Sequence, residues 1–286
     1  MIWFDDRFVP ESESKVSYLD RGYCFGDGVY EVFRVYAGQV YEGAAHYERL
    51  VRSAREIKLR LPYPLEEIER IVLELIERER LRDGSVYLQI TRGVAPRAHS
   101  FPPADTQPVL LVYASPAKRR VESMRGGIAA ITRPDERWLR CDIKSLNLLG
   151  SVLAKQEAEE AGADDVILHR DGIVTECSAS NVMIVKDGVL LTHPANRLIL
   201  HGVTRAVVLR LARELGIPAE ERPFSLETLR RADEAFLTST IMEVMPIVAI
   251  DGARVGDGAP GPVTRRLQQA YEATIPASAL SGGGGQ

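Results

Sequence analysis

Cysteine is scarce in this chain: Cys24, Cys141 and Cys177 are the three in 286 residues, far apart in sequence. That spacing suggests neither a disulfide framework nor a zinc motif. The five histidines, His46, His99, His169, His193 and His201, show no ligand spacing, so a metal hydrolase is set aside. No apolar run approaches the roughly 18 residues a membrane helix needs. The start, Met1 to Arg7, lacks the basic and apolar regions of a secretory signal, and a reduced, cytoplasmic setting is expected. Charge of one sign is also missing. Lys and Arg number 36 against 40 Asp and Glu, a net charge of -4, which forces no basic face for nucleic acid. There is no internal repeat. What is present is 45% hydrophobic residues, enough for a core, and a length that suits two modest domains.

Periodicity supplies the coarse organisation. Val29–Val35 alternates as a strand, and Gly38-Gln39 suits a hairpin turn before Val40. The spacing predicts a helix over Ala44–Leu61, with Tyr47, Leu50, Val51, Ala54 and Ile57 on its apolar stripe, and a second over Leu65–Arg82. Val86–Thr91 and Val109–Ala114 read as buried strands. Pro116 to Arg120 reads as a linker, which gives an N-terminal α+β domain over 1–118, a join at 119–121 and a second domain over 122–276. In that domain strands are expected at Gly127–Thr132, Val166–His169, Ile173–Thr175, Val182–Val185, Val189–Thr192, Ala235–Ser239 and Pro246–Ile250, with helices at Leu148–Ala161, Thr204–Leu215 and Pro262–Thr274. Residues 277–286 read as a flexible tail, with the glycine-rich Ser281–Gln286 disordered. The fold class is α/β (α+β), in two lobes.

Several residues carry chemistry in combination. Lys144 has apolar sequence neighbours, Trp138, Leu139, Cys141, Ile143, Leu146, Leu148 and Leu149. A lysine in such a setting suits nucleophilic work on a carbonyl, although an edge-strand lysine reaching outward has the same signature. Glu176 follows a short strand; a carboxylate there is commonly a turn residue, but facing a pyridine nitrogen it would keep that nitrogen protonated. Ser178, Ser180 and Asn181 suit a turn equally well. Gly202-Val-Thr204 precedes a helix whose N–H groups favour an anion such as phosphate, or it is simply an N-cap. Thr238-Ser-Thr240 adds hydroxyls. Arg49 lies off the apolar stripe of its helix and reads as a solvated charge. Arg97-Ala-His99 sits on a loop, where an arginine fork and an imidazole can clamp a carboxylate.

Taken together, the motifs resemble a family. Asp20-Arg-Gly-Tyr-Cys-Phe-Gly-Asp-Gly-Val-Tyr30-Glu31, Asp142-Ile-Lys144-Ser-Leu-Asn147 and Thr175-Glu176 with Ser180-Asn181 look like those of class IV aminotransferases, the fold-type IV enzymes dependent on pyridoxal 5'-phosphate (PLP). The resemblance spans about residues 2–276. Arg21-Gly-Tyr, Thr91-Arg-Gly93, Pro96-Arg-Ala-His99 and Trp138-Leu-Arg-Cys-Asp-Ile-Lys144 are similar specifically to bacterial D-amino acid transaminases. The resemblance implies a smaller N-terminal and a larger C-terminal domain. It implies that Lys144 holds the cofactor as a Schiff base and shuttles protons, and that Glu176 pairs with the ring nitrogen. Arg49, Val203, Thr204, Ser239 and Thr240 would take the phosphate, Leu200 would pack on the ring and Ser180 would support the cofactor. Tyr30, Arg97 and His99 would receive the substrate α-carboxylate, the last two from the partner subunit of a homodimer. D-amino acids of the alanine, glutamate and aspartate class and 2-oxo acids would be the substrates, in ping-pong turnover. An (R)-selective amine transaminase, a branched-chain aminotransferase and an aminodeoxychorismate lyase share the fold and remain alternatives. Two departures stand out: Ala179 where a second serine is common, and Ile241-Met242 after Ser239-Thr240.

Overall fold

The computed structural model describes residues 1–280, and the tail 281–286 expected to be disordered lies outside the described residues. The chain divides into two compact units. Met1–Lys118 forms the first, joined by Ile143–Asn147 and by the described residues from Pro276; Arg119–Asp142 and Leu148–Ile275 form the second.

In the first unit the strands are β1 (Ile2–Phe4), β2 (Arg7–Val9), β3 (Gly28–Tyr36), β4 (Gln39–Val40), β5 (Gly84–Thr91) and β6 (Val109–Pro116), in the order β2-β1-β6-β5-β3-β4. All pairings are antiparallel. The short α1 (Arg21–Phe25) is capped by the Asp20 carboxylate, which accepts from Gly22 N at 2.7 Å, and two longer helices follow, α2 (Gly43–Glu56) and α3 (Leu65–Arg78). Strand alternation sorts β3. Val29, Phe33 and Val35 enter a core with Leu50 and Ala54 of α2 and Ile68, Val72 and Leu75 of α3. Tyr30, Val32, Arg34 and Tyr36 take the opposite face of the strand.

Both helices end earlier than the spacing predicts. Lys58 turns left-handed at φ 53°, and the Arg92 guanidinium takes the carbonyls of Ile57 and Lys58 at 2.7 and 2.9 Å, which closes α2 at its C-terminus. Arg80, at φ 48°, follows the end of α3. Val51, placed on the apolar stripe, is exposed, whereas His46 and Arg49 are buried. Gly93 opens the loop after β5 at φ 96°; a Cβ there would lie 2.0 Å from Gln107 O, so only glycine fits.

The second unit holds α4 (Val121–Gly126), β7 (Ile128–Pro134), α5 (Leu149–Glu160), β8 (Asp165–Arg170), β9 (Ile173–Cys177), β10 (Asn181–Lys186), β11 (Val189–Thr192), α6 (Val203–Glu214), β12 (Ala219–Glu221), α7 (Leu226–Arg230), β13 (Glu234–Ser239), β14 (Glu243–Ile250), β15 (Ala253–Arg254) and α8 (Pro262–Ala273). Its sheet runs β12-β11-β10-β13-β14-β7-β8-β9, with β15 on β14. The β14–β7–β8 run is parallel, and its core holds Val174, Val182, Leu191, Leu237, Met245 and Ile247.

Three expectations change. The join at 119–121 is no free tether, because Arg119 is held by Glu243 at 2.6 Å and Glu272 at 2.7 Å. Ala277–Leu280, expected as flexible tail, forms the short α9, where two alanines favour helix. Ile143–Asn147, expected within the second domain, belongs with the first unit. It bridges β3 through Val29 and Ser145, Lys144 O accepts from Tyr30 N at 3.0 Å, and Leu146 N donates to Gly28 O at 3.1 Å.

Candidate active site

The β3 bridge fixes the backbone of Lys144 on both sides, and its N–H donates to Ser53 Oγ of α2 at 3.2 Å. The side chain is half-buried, with Nζ 4.2 Å from the centroid of the Tyr30 ring, a cation–π contact. The apolar setting expected from sequence is different in kind. Trp138, Leu139, Leu148 and Leu149 are exposed, and Ile143 faces the core. The amine faces the Tyr30 ring, and its charge is felt by His46 of a buried ionic cluster.

Glu31 closes one of the family motifs and Arg49 was expected at the phosphate, but neither their pairing nor His46 was expected from sequence. Glu31 is fully buried on the inward file of β3 and accepts from Arg49 twice, at 3.0 Å from Nε and 2.6 Å from Nη2, and meets His46 Nδ1 at 3.0 Å. Burial alone would raise the Glu31 carboxyl; the Arg49 charge and His46 overcome this and hold it well below the usual carboxylate range. Burial, first, depresses His46, with the Lys144 charge adding to the effect. Arg49 is thus no solvated charge but half of a buried ion pair. The signal was present: Glu31 shares strand parity with Val29 and Phe33, and His46 and Arg49 are i, i+3 on α2.

In the second unit Glu176 is the last residue but one of β9 and is likewise buried. Its oxygens accept from Arg137 Nη1 at 2.7 Å, Asn181 Nδ2 at 2.8 Å and Leu200 N at 3.0 Å. Arg137 gives its other two nitrogens to Asp135, at 2.9 and 2.8 Å. Burial pushes the Glu176 carboxyl up to about 7, against the pull of Arg137. Ser178 Oγ donates to Asp165 at 2.6 Å, and Ser180 Oγ faces the same carboxylate at 3.4 Å, so both brace the turn before β10. Asn181 Nδ2 also donates to Leu200 O at 2.9 Å. Gly202, the N-cap of α6, makes room for it: a Cβ at Gly202 would lie 2.0 Å from Asn181 Oδ1.

Val203 and Thr204 are the first residues of α6 and are buried. N–H groups of a first helical turn lack intrahelical acceptors and suit a phosphate. Ser239 ends β13, its Oγ accepting from Met242 N at 3.0 Å, with Thr240 in the same turn. Arg97 and His99 are exposed on the loop of the first unit, and both contact Phe25, at 4.9 and 5.6 Å between group and ring centres. Between them, Ala98 O accepts from Arg21 Nη1 at 2.7 Å.

Each unit taken by itself has features that suit part of a phosphorylated aldehyde with a basic ring nitrogen: the first an amine over an aromatic ring, the second a helix N-terminus and a buried carboxylate with raised proton affinity. The family described as amino-transferase class IV matches residues 28–250, and the chain belongs to it. Curated relatives carry a more specific name. The D-alanine aminotransferase of Staphylococcus haemolyticus is 47% identical over 274 residues, 96% of this chain and 97% of that protein. That of Bacillus licheniformis is 46% identical, covering 96% of each. Among solved structures, the branched-chain amino acid aminotransferase of Escherichia coli aligns with a TM-score of 0.91 at 29% identity, over 99% of this chain and 97% of that one. A second branched-chain amino acid aminotransferase, complexed with N-(5'-phosphopyridoxyl)-L-glutamate, aligns at 0.87 with 30% identity, over 97% and 95%.

Proposed function

We propose that this protein is a PLP-dependent D-amino acid transaminase in which Lys144 carries the cofactor and moves the substrate proton, and Glu176 partners the ring nitrogen. The observation that carries this reading is the near-full-length identity to D-alanine aminotransferases, 46% to 48%, against 29% to 32% for the branched-chain structures that share the fold. Bound PLP supplies an aldehyde for the amino group and a ring that accepts electrons.

The chain's own residues do the rest. Lys144 Nζ, held at Tyr30 and freed once a donor takes its place, accepts the proton from the donor's Cα and returns it. Glu176 stays beside the ring nitrogen, its proton affinity raised by burial toward that of a pyridine. Val203 and Thr204 of α6, with Ser239, Thr240 and Arg49, take the phosphate. Leu200 packs on the ring, its N–H tied to Glu176, and Ser180 steadies the turn. Release of one 2-oxo acid before the next is bound gives ping-pong kinetics.

Tyr30 receives the α-carboxylate together with Arg97 and His99 of the partner subunit in a homodimer. The exposure of both loop side chains supports this, as does the apolar face Leu149, Val152 and Leu153 left uncovered on α5. All three cysteines are free, which supports a reducing, cytoplasmic setting.

Lys144→Ala is expected to lose both turnover and the borohydride-reducible attachment of PLP; turnover that persists overturns the assignment. Offering D-alanine with 2-oxoglutarate and resolving the product is expected to give D-glutamate. L-glutamate would point instead to the branched-chain type.

A further inference from the structure

Three nitrogen-bearing side chains of the first unit gather on the Phe25 ring. The Arg21 guanidinium lies 4.8 Å from its centroid, the Arg97 guanidinium 4.9 Å, and the His99 ring 5.6 Å at an interplanar angle of 49°. Phe25 is half-buried and does not belong to the core that Val29, Phe33 and Leu50 build. Arg97 and His99 are exposed, and among the described residues neither makes a hydrogen bond or an ion pair. The ring of Phe25 is what both of them rest on.

That ring has a fixed footing. Phe25 is the last residue of α1, and Gly26, left-handed at φ 66°, closes the helix with its N–H on Gly22 O at 2.9 Å. At the other end one oxygen of Asp20 accepts from Gly22 N and the second from Thr91 Oγ1 at 2.8 Å. Arg21 then ties helix to loop: its Nε donates to Asp27 at 2.8 Å and its Nη1 to Ala98 O at 2.7 Å. The backbone between Arg97 and His99 is thereby pinned by Arg21, and their side chains are left to the ring.

An exposed arginine otherwise spreads over many rotamers, and an anion that binds it bears the cost of ordering it. A ring face attracts the guanidinium and narrows that spread before the anion arrives. A guanidinium lying against a ring keeps its N–H edge for a carboxylate.

We propose that Phe25 is a positioning residue whose ring orders Arg97 and His99 in advance, as one unit, for the substrate carboxylate. It rests on the reading above that these two side chains receive that carboxylate. Phe25 supplies no donor of its own and acts through them.

The test compares holoenzyme variants by inhibition with propionate, which offers a carboxylate without an amine. Phe25→Leu keeps an apolar side chain and removes the ring. It is expected to weaken propionate binding about 3- to 10-fold, the scale of one or two cation–π contacts at exposed positions. The KM for D-alanine should rise by a similar factor, with the loss falling on KM rather than kcat. Phe25→Tyr keeps the ring and should stay near the parent. Propionate binding unmoved in Phe25→Leu, or weakened equally in Phe25→Tyr, overturns the proposal. So does a loss spread alike over kcat, PLP content and thermal stability, which marks a purely structural ring. Should Phe25→Leu fail to fold, fluorinated phenylalanines at position 25 decide, because fluorine drains negative charge from the ring face at nearly constant shape. Propionate should weaken with each added fluorine, and a flat series overturns the proposal. Arg97→Ala and His99→Ala separate the two ideas. If neither weakens propionate, the carboxylate reading fails and takes the proposal with it; if either does and Phe25→Leu does not, the proposal alone fails.

Discussion

Glu31 in the first unit and Glu176 in the second are both carboxylates at full burial beside an arginine, yet their proton affinities move in opposite directions. Desolvation raises both. The difference is how the arginine is shared. Arg49 gives Glu31 two nitrogens, and His46 adds a third contact. Arg137 gives two nitrogens to Asp135 and one to Glu176, and the Asp135 charge itself works against ionisation of Glu176. A carboxylate that takes two arginine nitrogens and an imidazole contact is held as an anion. One that takes a single nitrogen from an arginine shared with a second carboxylate keeps a raised proton affinity, which suits the proposed pairing with a ring nitrogen.

The sharpest break of this comparison is Glu31→Ala. It removes the carboxylate that takes two Arg49 nitrogens in the core and is expected to cost about 3–5 kcal/mol of stability in chemical denaturation. A loss under about 1 kcal/mol would show that Glu31 and Arg49 are not a coupled pair. Glu176→Gln keeps the shape but not the charge. It is expected to lower kcat by about a hundredfold with PLP still bound, read as turnover against the cofactor's absorbance; unchanged turnover would remove Glu176 from the ring nitrogen. Gly202→Ala drives a Cβ into Asn181 and should cost about 1–3 kcal/mol while weakening the Leu200–Glu176 arrangement. A variant as stable as the parent would show that α6 shifts freely.

Acidity gives the smallest and most diagnostic effect. Glu31 is depressed in the fold, so its contribution is present above the unfolded carboxylate range near 4.5 and is lost as pH falls below it. Glu176 is raised, so in the cofactor-free protein stability declines as pH rises from about 4.5 to about 7. Glu31→Gln should flatten the acid arm of a stability–pH curve, and Glu176→Gln the arm toward neutrality. Flattening of the same arm by both variants contradicts the opposition.

Much of this was legible without coordinates, for reasons that differ by residue. Lys144, Glu176 and Gly202-Val-Thr204 stood out through their company and the family motifs they resemble, each being a weak signal when read alone. Strand alternation over Val29–Val35 was equally legible, and it places Glu31 inward with Val29 and Phe33. Arg137 left no such trace, since its contact with Glu176 spans 39 positions between the loop after β7 and the end of β9. The end of α2 was hidden for the same reason: Arg92, 35 positions beyond Ile57, takes its carbonyl. Local periodicity cannot report a cap supplied from a distant loop. The placement of Ile143–Asn147 with the first unit likewise rests on backbone bonds to β3, which are blind to side-chain type.

The loop that carries Arg97 and His99 is seated through Ala98 O, a backbone atom that accepts from Arg21. Neither of its two outward side chains is needed for that seat. Replacing either one leaves that hydrogen bond in place. In the proposed reading, the clamp on the substrate carboxylate can therefore be altered at either side chain while the backbone bond that seats the loop is kept.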